Sequence, residues 1–242
     1  RRGTEIRKRK NDVIDSVLIA DLIRYGQFVE TRLADEDLFS LRTLTRFRTY
    51  LVESISDLKR KVVCVLDQVF PEYQSIFSDI FGKTSKEILL QFSSPIDFES
   101  VSSQTLAELL AKLSRKQVGS AKAEQLKAAA SCSFGVTFAK SSFTFQLKAL
   151  IEQIAFIEKQ VKETETEIAG IMEKLESPIT TITGIGNVTG AAIISEIGDI
   201  SKFDSPRKLV AFAGLDATVT QSGEFEAAHN VMSKRGSPYL RK

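Results

Sequence analysis

From Leu147 to Leu175 the chain reads LKALIEQIAFIEKQVKETETEIAGIMEKL, with Leu147, Leu150, Ile154, Ile157, Val161, Thr164, Ile168, Ile171 and Leu175 spaced alternately three and four apart. That repeat over four heptads is the mark of a helix with one apolar seam, the coiled-coil pattern. At 1.5 Å per residue the helix is roughly 43 Å long. Its other positions carry Glu158, Lys159, Lys162, Glu163, Glu165 and Glu167, as a solvated face should. Upstream, Leu41, Leu44, Arg48, Leu51, Ile55, Leu58, Val62, Val65 and Val69 repeat the spacing, with Arg48 as a polar intruder. Pro71 and the aromatic residues Phe70, Tyr73, Phe77 and Phe81 close that second helix and read as core. An antiparallel pair of arms within one chain, a dimer through the arms, or both would satisfy the two seams. Between the arms, residues 106–113 and 121–130 read as short helices, broken by Pro95 and by a serine-rich turn containing Gly135.

The wider composition narrows the class. The chain has 242 residues, 43% hydrophobic and 26% charged, enough for one large domain or two smaller ones and unlike a disordered chain. No apolar run reaches the roughly 18 residues of a membrane span, so no membrane is expected as a partner. Cys64 and Cys132 are the only cysteines, which excludes a disulfide scaffold, and both read as small core residues. His229 is the only histidine, so a zinc site of the Cys/His kind is excluded and a metal would be held by carboxylates. The net charge of +2 is unevenly spread. Residues 1–10 hold six basic side chains against Glu5, and residues 233–242 hold four with no acid. Basic ends suit phosphate contact or are simply solvated tails. The chain starts at Arg1 without methionine or signal segment, ends at Lys242, and reads as an internal piece of a longer protein.

Three segments follow: 1–35, the helical region 36–177, and 178–242. In the first, Ile14, Leu18 and Leu22, with Ile19 and Ile23, predict an amphipathic helix starting near Asn11 or Asp12. Asp12 and Asp15 share one face of its first turn, where acids also complement a helix dipole. The third segment has a different texture, holding or adjoining eight of the thirteen glycines, counted from Gly170. Thr183-Gly184-Ile185-Gly186-Asn187 predicts a helix-hairpin-helix, one helix ending at the glycine turn and another opening with its backbone N–H groups outward. Such an end binds a phosphate without reading bases. The bland alternative is a glycine cap between packed helices. Phe203, Pro206, Leu209, Val210, Phe212, Ala213, Gly214 and Leu215 read as a core helix with a glycine exit. A strand-like stretch, Thr218–Glu224, is interrupted at Ser222-Gly223, a turn that exposes a hydroxyl. The basic loop Met232–Lys242, with Lys234, Arg235 and Arg241, then leads into a predicted helix.

In this order, the Asn-Asp-x-x-Asp-Ser-x-x-Ile-Ala run at 11–20, the long helices, Thr-Gly-Ile-Gly, Phe-Ala-Gly-Leu, Gln-Ser-Gly and Ser-Lys-x-Gly-x-x-x-Leu-Arg resemble the DEDD recombinases. These are insertion-sequence transposases and Piv-type invertases that join a RuvC-like nuclease fold to a serine-bearing domain. The resemblance spans nearly the whole chain and is most specific from Thr181 to Arg241. It implies a mostly α chain: residues 1–35 as the helical tail of a RuvC-like α/β domain, coiled-coil arms over 36–177, and an incomplete serine-bearing transposase domain over 178–242.

The resemblance also implies a chemistry. Asp12 and Asp15 match the last two of four acidic residues, with Ile19-Ala20 in register, and would ligate Mg²⁺, which prefers oxygen donors. Ser222 matches the serine proposed to attack the DNA backbone and form a covalent phosphoserine, which conserves the phosphodiester bond energy for rejoining. With no histidine partner in view, activation of the serine would come from the metal site, supplied by another subunit. The implied partners are donor and target DNA, a guide RNA, and further copies of the chain in a dimer or tetramer. Gly184, Ile185, Gly186, Asn187, Gly223, Lys234, Arg235 and Arg241 are the expected nucleic-acid contacts, and the implied setting is the bacterial or archaeal cytoplasm, at the nucleoid. There are departures. The strands bearing the first aspartate and the glutamate would precede Arg1, and further helices would follow Arg241, so the chain alone is expected to be inactive. Ser16 replaces a commoner alanine, and Asp216 replaces the usual proline after Gly-Leu. The competing reading is a non-catalytic coiled-coil DNA- or RNA-binding protein that uses the hairpin at Gly184–Gly186.

Overall fold

The computed structural model describes residues 12–26, 35–115, 119–217, 221–222, 225–226 and 231–241. They are mostly helical and divide into two compact units, Arg1–Asp35 and Glu36–Lys242.

In the first unit, α1 (Asp12–Arg24) opens on Asp12 and Asp15 and closes on Arg24, charges that oppose the partial charges of its ends. The Ser16 hydroxyl donates to the Asp12 carbonyl at 2.6 Å. The expected apolar stripe is only partly covered. Leu18 and Leu22 are half-buried, while Val13, Val17, Ile19 and Ile23 are exposed.

The second unit is built on α2 (Glu36–Val69) and α7 (Lys140–Leu175). They lie antiparallel within the one chain. Leu41 packs with Ile168 and Met172 at one end, and Val62, Val65 and Leu66 pack with Leu147, Ile151 and Ile154 at the other. The polar residue in the seam is accounted for: the Arg48 Nε donates to Glu165 at 2.7 Å. Both side chains are about one-third exposed, so the pair tolerates Arg48 in the seam more than it stabilises the arms.

Beyond Val69 a 3-10 turn, Pro71–Ser75, leads into α3 (Lys83–Gln91), α4 (Pro95–Ser100), α5 (Ser103–Leu113) and α6 (Ser120–Ser131). Pro95 opens a helix where it was expected to break one. Proline has no N–H to lose at a first helical position, and the Ser94/Asp97 capping box satisfies the backbone around it. These helices fold back on the arms around Phe70, Tyr73 and Phe98, which are fully buried and pack at tilted angles; of the predicted aromatic core, Phe70 and Tyr73 are buried, and Phe77 and Phe81 pack half-buried against them. Gly135 is fixed by the return to α7: a Cβ there would lie 2.0 Å from the Val69 carbonyl oxygen.

The two cysteines are a correction. Cys64 and Cys132 are exposed, not core. Cys64 lies off the α2 stripe of Val62, Val65, Leu66 and Val69, and Cys132 caps α6, its thiol turned to the Ala128 carbonyl at 3.0 Å.

The segment after α7 docks on the open end of the arms. A 3-10 turn, Pro178–Thr181, precedes α8 (Asn187–Ile197), whose Ala191 joins Leu41, Ile168 and Met172 in a second core. Gly190 allows this approach, since a Cβ would meet the Ile179 side chain at 2.9 Å. After α9 (Pro206–Ala213) comes an antiparallel pair, β1 (Gln221–Ser222) and β2 (Phe225–Glu226). The expected core character of α9 is not met. Only Ala213 is buried, while Val210, Phe212 and Leu215 are more than two-fifths exposed. Eight residues give two turns, and the side of α9 away from Phe203 has no element against it among the described residues. The basic segment after Met232 forms loop and turn, not helix, through Arg241. No described helix is long and apolar enough to cross a membrane.

Candidate catalytic and nucleic-acid-binding sites

Ser222 stands at the end of β1, paired with Phe225, with Gln221 opposite Glu226. This register makes Ser222 the last paired residue of β1. The connecting residues, Gly223 among them, lie outside the described residues. The hairpin's root is a bridge between Ala217 and Met232.

Below that bridge, residues 233–241 are sewn onto the end of α9. Helix α9 stops at Gly214, whose φ of 71° is the left-handed region glycine enters without strain, and the Leu215 N–H returns to the Val210 carbonyl at 3.0 Å. The Ser233 N–H donates to the Asp216 carbonyl at 2.8 Å, Lys234 N–H to Gly214 at 3.1 Å, and Ser237 N–H to Phe212 at 3.3 Å. The Ser233 hydroxyl also bonds the Asp216 carboxylate. Asp216, in place of the expected proline, thus ties the two strands of the root together through its side chain. Gly236 lies so close that a Cβ would fall 1.8 Å from the Phe212 carbonyl oxygen.

A second set of contacts joins this assembly to the arm. Glu196, near the end of α8, is buried and accepts from Arg46 of α2 twice, Nε to Oε1 at 2.6 Å and Nη2 to Oε2 at 3.0 Å. Its Oε2 also accepts from the Ser237 hydroxyl at 2.8 Å. The Arg46 guanidinium lies over the Tyr239 ring, 4.8 Å from its centroid. One turn earlier, the Arg42 Nε donates to the Ser195 carbonyl at 2.8 Å. Burial pushes the Glu196 carboxyl up, but the hydrogen bonds from Arg46 and Ser237 and the charges of Arg46 and Arg42 hold it below the ordinary glutamate range. Sequence reading missed Arg42, Arg46, Glu196, Ser237 and Tyr239. The available signal was Glu196 itself, a single acid in the apolar run Ala191–Ile197, where an unpaired carboxylate would be costly.

The expected phosphate-binding turn takes a particular form. Gly184, at φ 92°, sits inside a turn closed by the Ile185 N–H to the Ile182 carbonyl at 3.0 Å, and α8 begins after Gly186. Gly184, Gly186 and Asn187 are exposed and Ile185 is half-buried. The element before this turn is a single 3-10 turn, because Pro178 and the β-branched Ile179–Thr183 disfavour a longer helix. Lys234 and Arg235 are exposed, whereas Arg241 is committed to backbone, its Nη1 donating to the Ala213 and Gly236 carbonyls at 2.9 and 3.0 Å.

Asp12 is exposed and Asp15 half-buried, three residues apart on the first turn of α1. Two carboxylates on one face supply oxygen donors of the kind Mg²⁺ takes, and they fit as part of such a site. No group of three or more acidic, histidine or cysteine side chains suited to a metal occurs among the described residues.

The chain is similar to insertion-sequence transposases. A transposase profile of the DEDD, IS110 type matches residues 1–71, and the profile of the IS116/IS110/IS902 transposase family matches residues 176–242. The two profile matches, one at each end of the chain, support an IS110-family DEDD transposase. It is 23% identical over 217 residues to the 44.8 kDa protein of insertion element IS116 from Streptomyces clavuligerus, an alignment covering 88% of this chain and 54% of that protein. It is 22% identical over 232 residues to the 43.6 kDa protein of insertion element IS110 from Streptomyces coelicolor, covering 94% and 56%. The chain therefore spans about half the length of these relatives.

Proposed function

We propose that this chain is part of a DNA transposase that breaks and rejoins strands through Ser222. The observation that carries the reading is the hairpin. Ser222 is the last residue of β1 and pairs with Phe225 of β2, and the bridge from Ala217 to Met232 leads into residues 232–241, within the segment that matches the transposase family. A nucleophile needs a fixed base that holds it in one place. The Ser222 Oγ attacks a backbone phosphorus, forming an Oγ–P ester while one P–O bond of the DNA breaks. The serine proton leaves to a base, and the departing deoxyribose oxygen is protonated as a free hydroxyl. Attack on the ester by a hydroxyl of another strand reverses the exchange and restores Ser222.

Asp12 and Asp15 contribute two donors to a Mg²⁺ site completed by further carboxylates. When bound, the ion supplies charge to stabilise a developing oxyanion. The turn at Gly184–Gly186, Asn187, Gly223, Lys234 and Arg235 contacts nucleic-acid phosphates, with the turn and α8 in the role of a helix-hairpin-helix. Donor and target DNA, a guide RNA and further copies of the chain joined through the helical arms complete the working assembly. The domain division 1–35, 36–177 and 178–242 accompanies this reading.

The test is Ser222→Ala in the complete protein, assayed for a covalent protein–DNA adduct under denaturing conditions. The expected result is loss of the adduct with DNA binding retained. An adduct of undiminished yield would reassign the nucleophile. Salt-sensitive binding without cleavage, with any divalent metal, would instead favour the non-catalytic binding protein.

A further inference from the structure

We infer that Glu196 is a positioning residue, holding the root of the Ser222 hairpin to the α2 arm by gripping Arg46 with both carboxylate oxygens and Ser237 with one of them. The inference rests on Ser222 being the nucleophile and adds to it the part of the chain that sets where the serine stands.

The chain of contacts runs unbroken from α2 to the bridge between Ala217 and Met232. Arg46 belongs to α2 and Glu196 to α8, so the ion pair spans 150 residues of sequence and joins arm to C-terminal segment. From Glu196 the link passes to the Ser237 hydroxyl at 2.8 Å, and the Ser237 N–H reaches the Phe212 carbonyl at the end of α9. The same short segment bonds Gly214 and Asp216, and its Met232 closes the bridge to Ala217 at the hairpin root. Arg46 is held from its other side by the Tyr239 ring.

Packing alone does not explain this arrangement. Only Ala213 of α9 is buried, and the apolar contacts near the arm belong to α8, so among the described residues the hairpin root has little hydrophobic fixing of its own. Polar bonds with defined geometry therefore set its orientation. A bidentate arginine–carboxylate pair fixes both distance and angle, which a single contact does not. Glu196 side-chain exposure is 3% against 45% for Arg46. The carboxylate is thus the buried anchor, and the guanidinium reaches it from the arm's surface.

The test uses the complete protein with Cys132, and any cysteine outside residues 1–242, replaced by serine. Spin labels are placed on Cys64, which is exposed on α2, and on a cysteine introduced by Glu226→Cys, and the distance distribution between them is recorded. In parallel, the rate of covalent adduct formation is measured against DNA concentration without labels. For Glu196→Gln and Arg46→Met we expect a broadened distance distribution. The adduct rate at saturating DNA should fall about a hundredfold, the scale of an ångström-sized misplacement. The half-saturating DNA concentration should change far less than the rate, because of the proposed phosphate contacts only Lys234 and Arg235 lie on the segment that this pair holds. Arg46→Lys, which keeps the charge, should recover part of the rate. A distribution as narrow as the parent's in both variants, or an unchanged saturated rate, overturns the inference. An adduct that survives Ser222→Ala overturns the nucleophile assignment instead, and the distance measurement then still decides whether Glu196 fixes the hairpin.

Discussion

Arg46 and Glu196 meet through two parallel hydrogen bonds of 2.6 and 3.0 Å, although 149 residues separate them in the chain. Truncating either partner should cost about 2 kcal/mol, the scale of hydrogen bonds to a charged group. The roughly 3–5 kcal/mol of a wholly buried pair is not expected, because Arg46 is nearly half exposed. The sign of the pH effect follows from Glu196 being held below its ordinary value. Its contribution is present above the usual glutamate pKa of 4.5 and fades as the pH falls through the lower folded-state value. The gap in melting temperature between parent and Glu196→Gln should therefore be constant near neutrality and shrink on acidification. A gap that widens below pH 4.5 would reverse the assignment.

Tyr73 gives the opposite dependence. Burial raises its phenol above the ordinary tyrosine value of 10.0, opposed only by the hydroxyl contact with Ser85 at 2.9 Å. Its contribution is complete below that value and is lost as the pH rises past it, since the unfolded chain ionises first. Tyr73→Phe should cost about 1 kcal/mol at neutral pH by leaving the buried Ser85 without this partner. It should also flatten the alkaline limb of the stability curve, read by urea denaturation between pH 8 and about 11.

Gly236→Ala should be poorly tolerated. The new methyl would lie 1.8 Å from the Phe212 oxygen and 2.5 Å from Gly214 N, both backbone atoms that yield only if the segment moves. We expect a loss of about 1–3 kcal/mol, or local release of residues 232–241, seen as faster amide exchange at the hairpin root. Gly119→Ala, where no atom lies within 4 Å of the added Cβ, is the matched control.

The basic residues of the last segment should separate into two kinds. Lys234→Ala and Arg235→Ala, at exposed positions, should each lower the slope of log affinity for DNA against log salt by about one, at little cost in stability. Arg241→Ala should instead lower the melting temperature, because its guanidinium is spent on the Ala213 and Gly236 carbonyls. A full unit of salt slope lost in Arg241→Ala with unchanged melting would contradict that division.

The two heptad-spaced series were enough to set the long helices, because apolar residues at 3-4 spacing fall on one face whatever surrounds them. The same reasoning located the glycine exit of α9 and the turn at Gly184, since each depends on local backbone preference. Composition set aside a disordered chain and a disulfide scaffold, and the mostly α class came from the helical spacing and the resemblance. The motifs of residues 181–241 carried the family, which the matched segments bear out. What local reading could not supply was anything fixed by partners distant in sequence. It left open whether the arms pair within the chain, made Pro95 a break where a capping box made it a start, and buried two cysteines that lie off the apolar stripe. It also gave Glu196 no role and counted Arg241 as free for phosphate. A buried carboxylate is held by whatever cation the fold brings to it, and an arginine's donors go to whichever carbonyls come within reach. Those encounters span tens to hundreds of residues, so only the tertiary structure decided them.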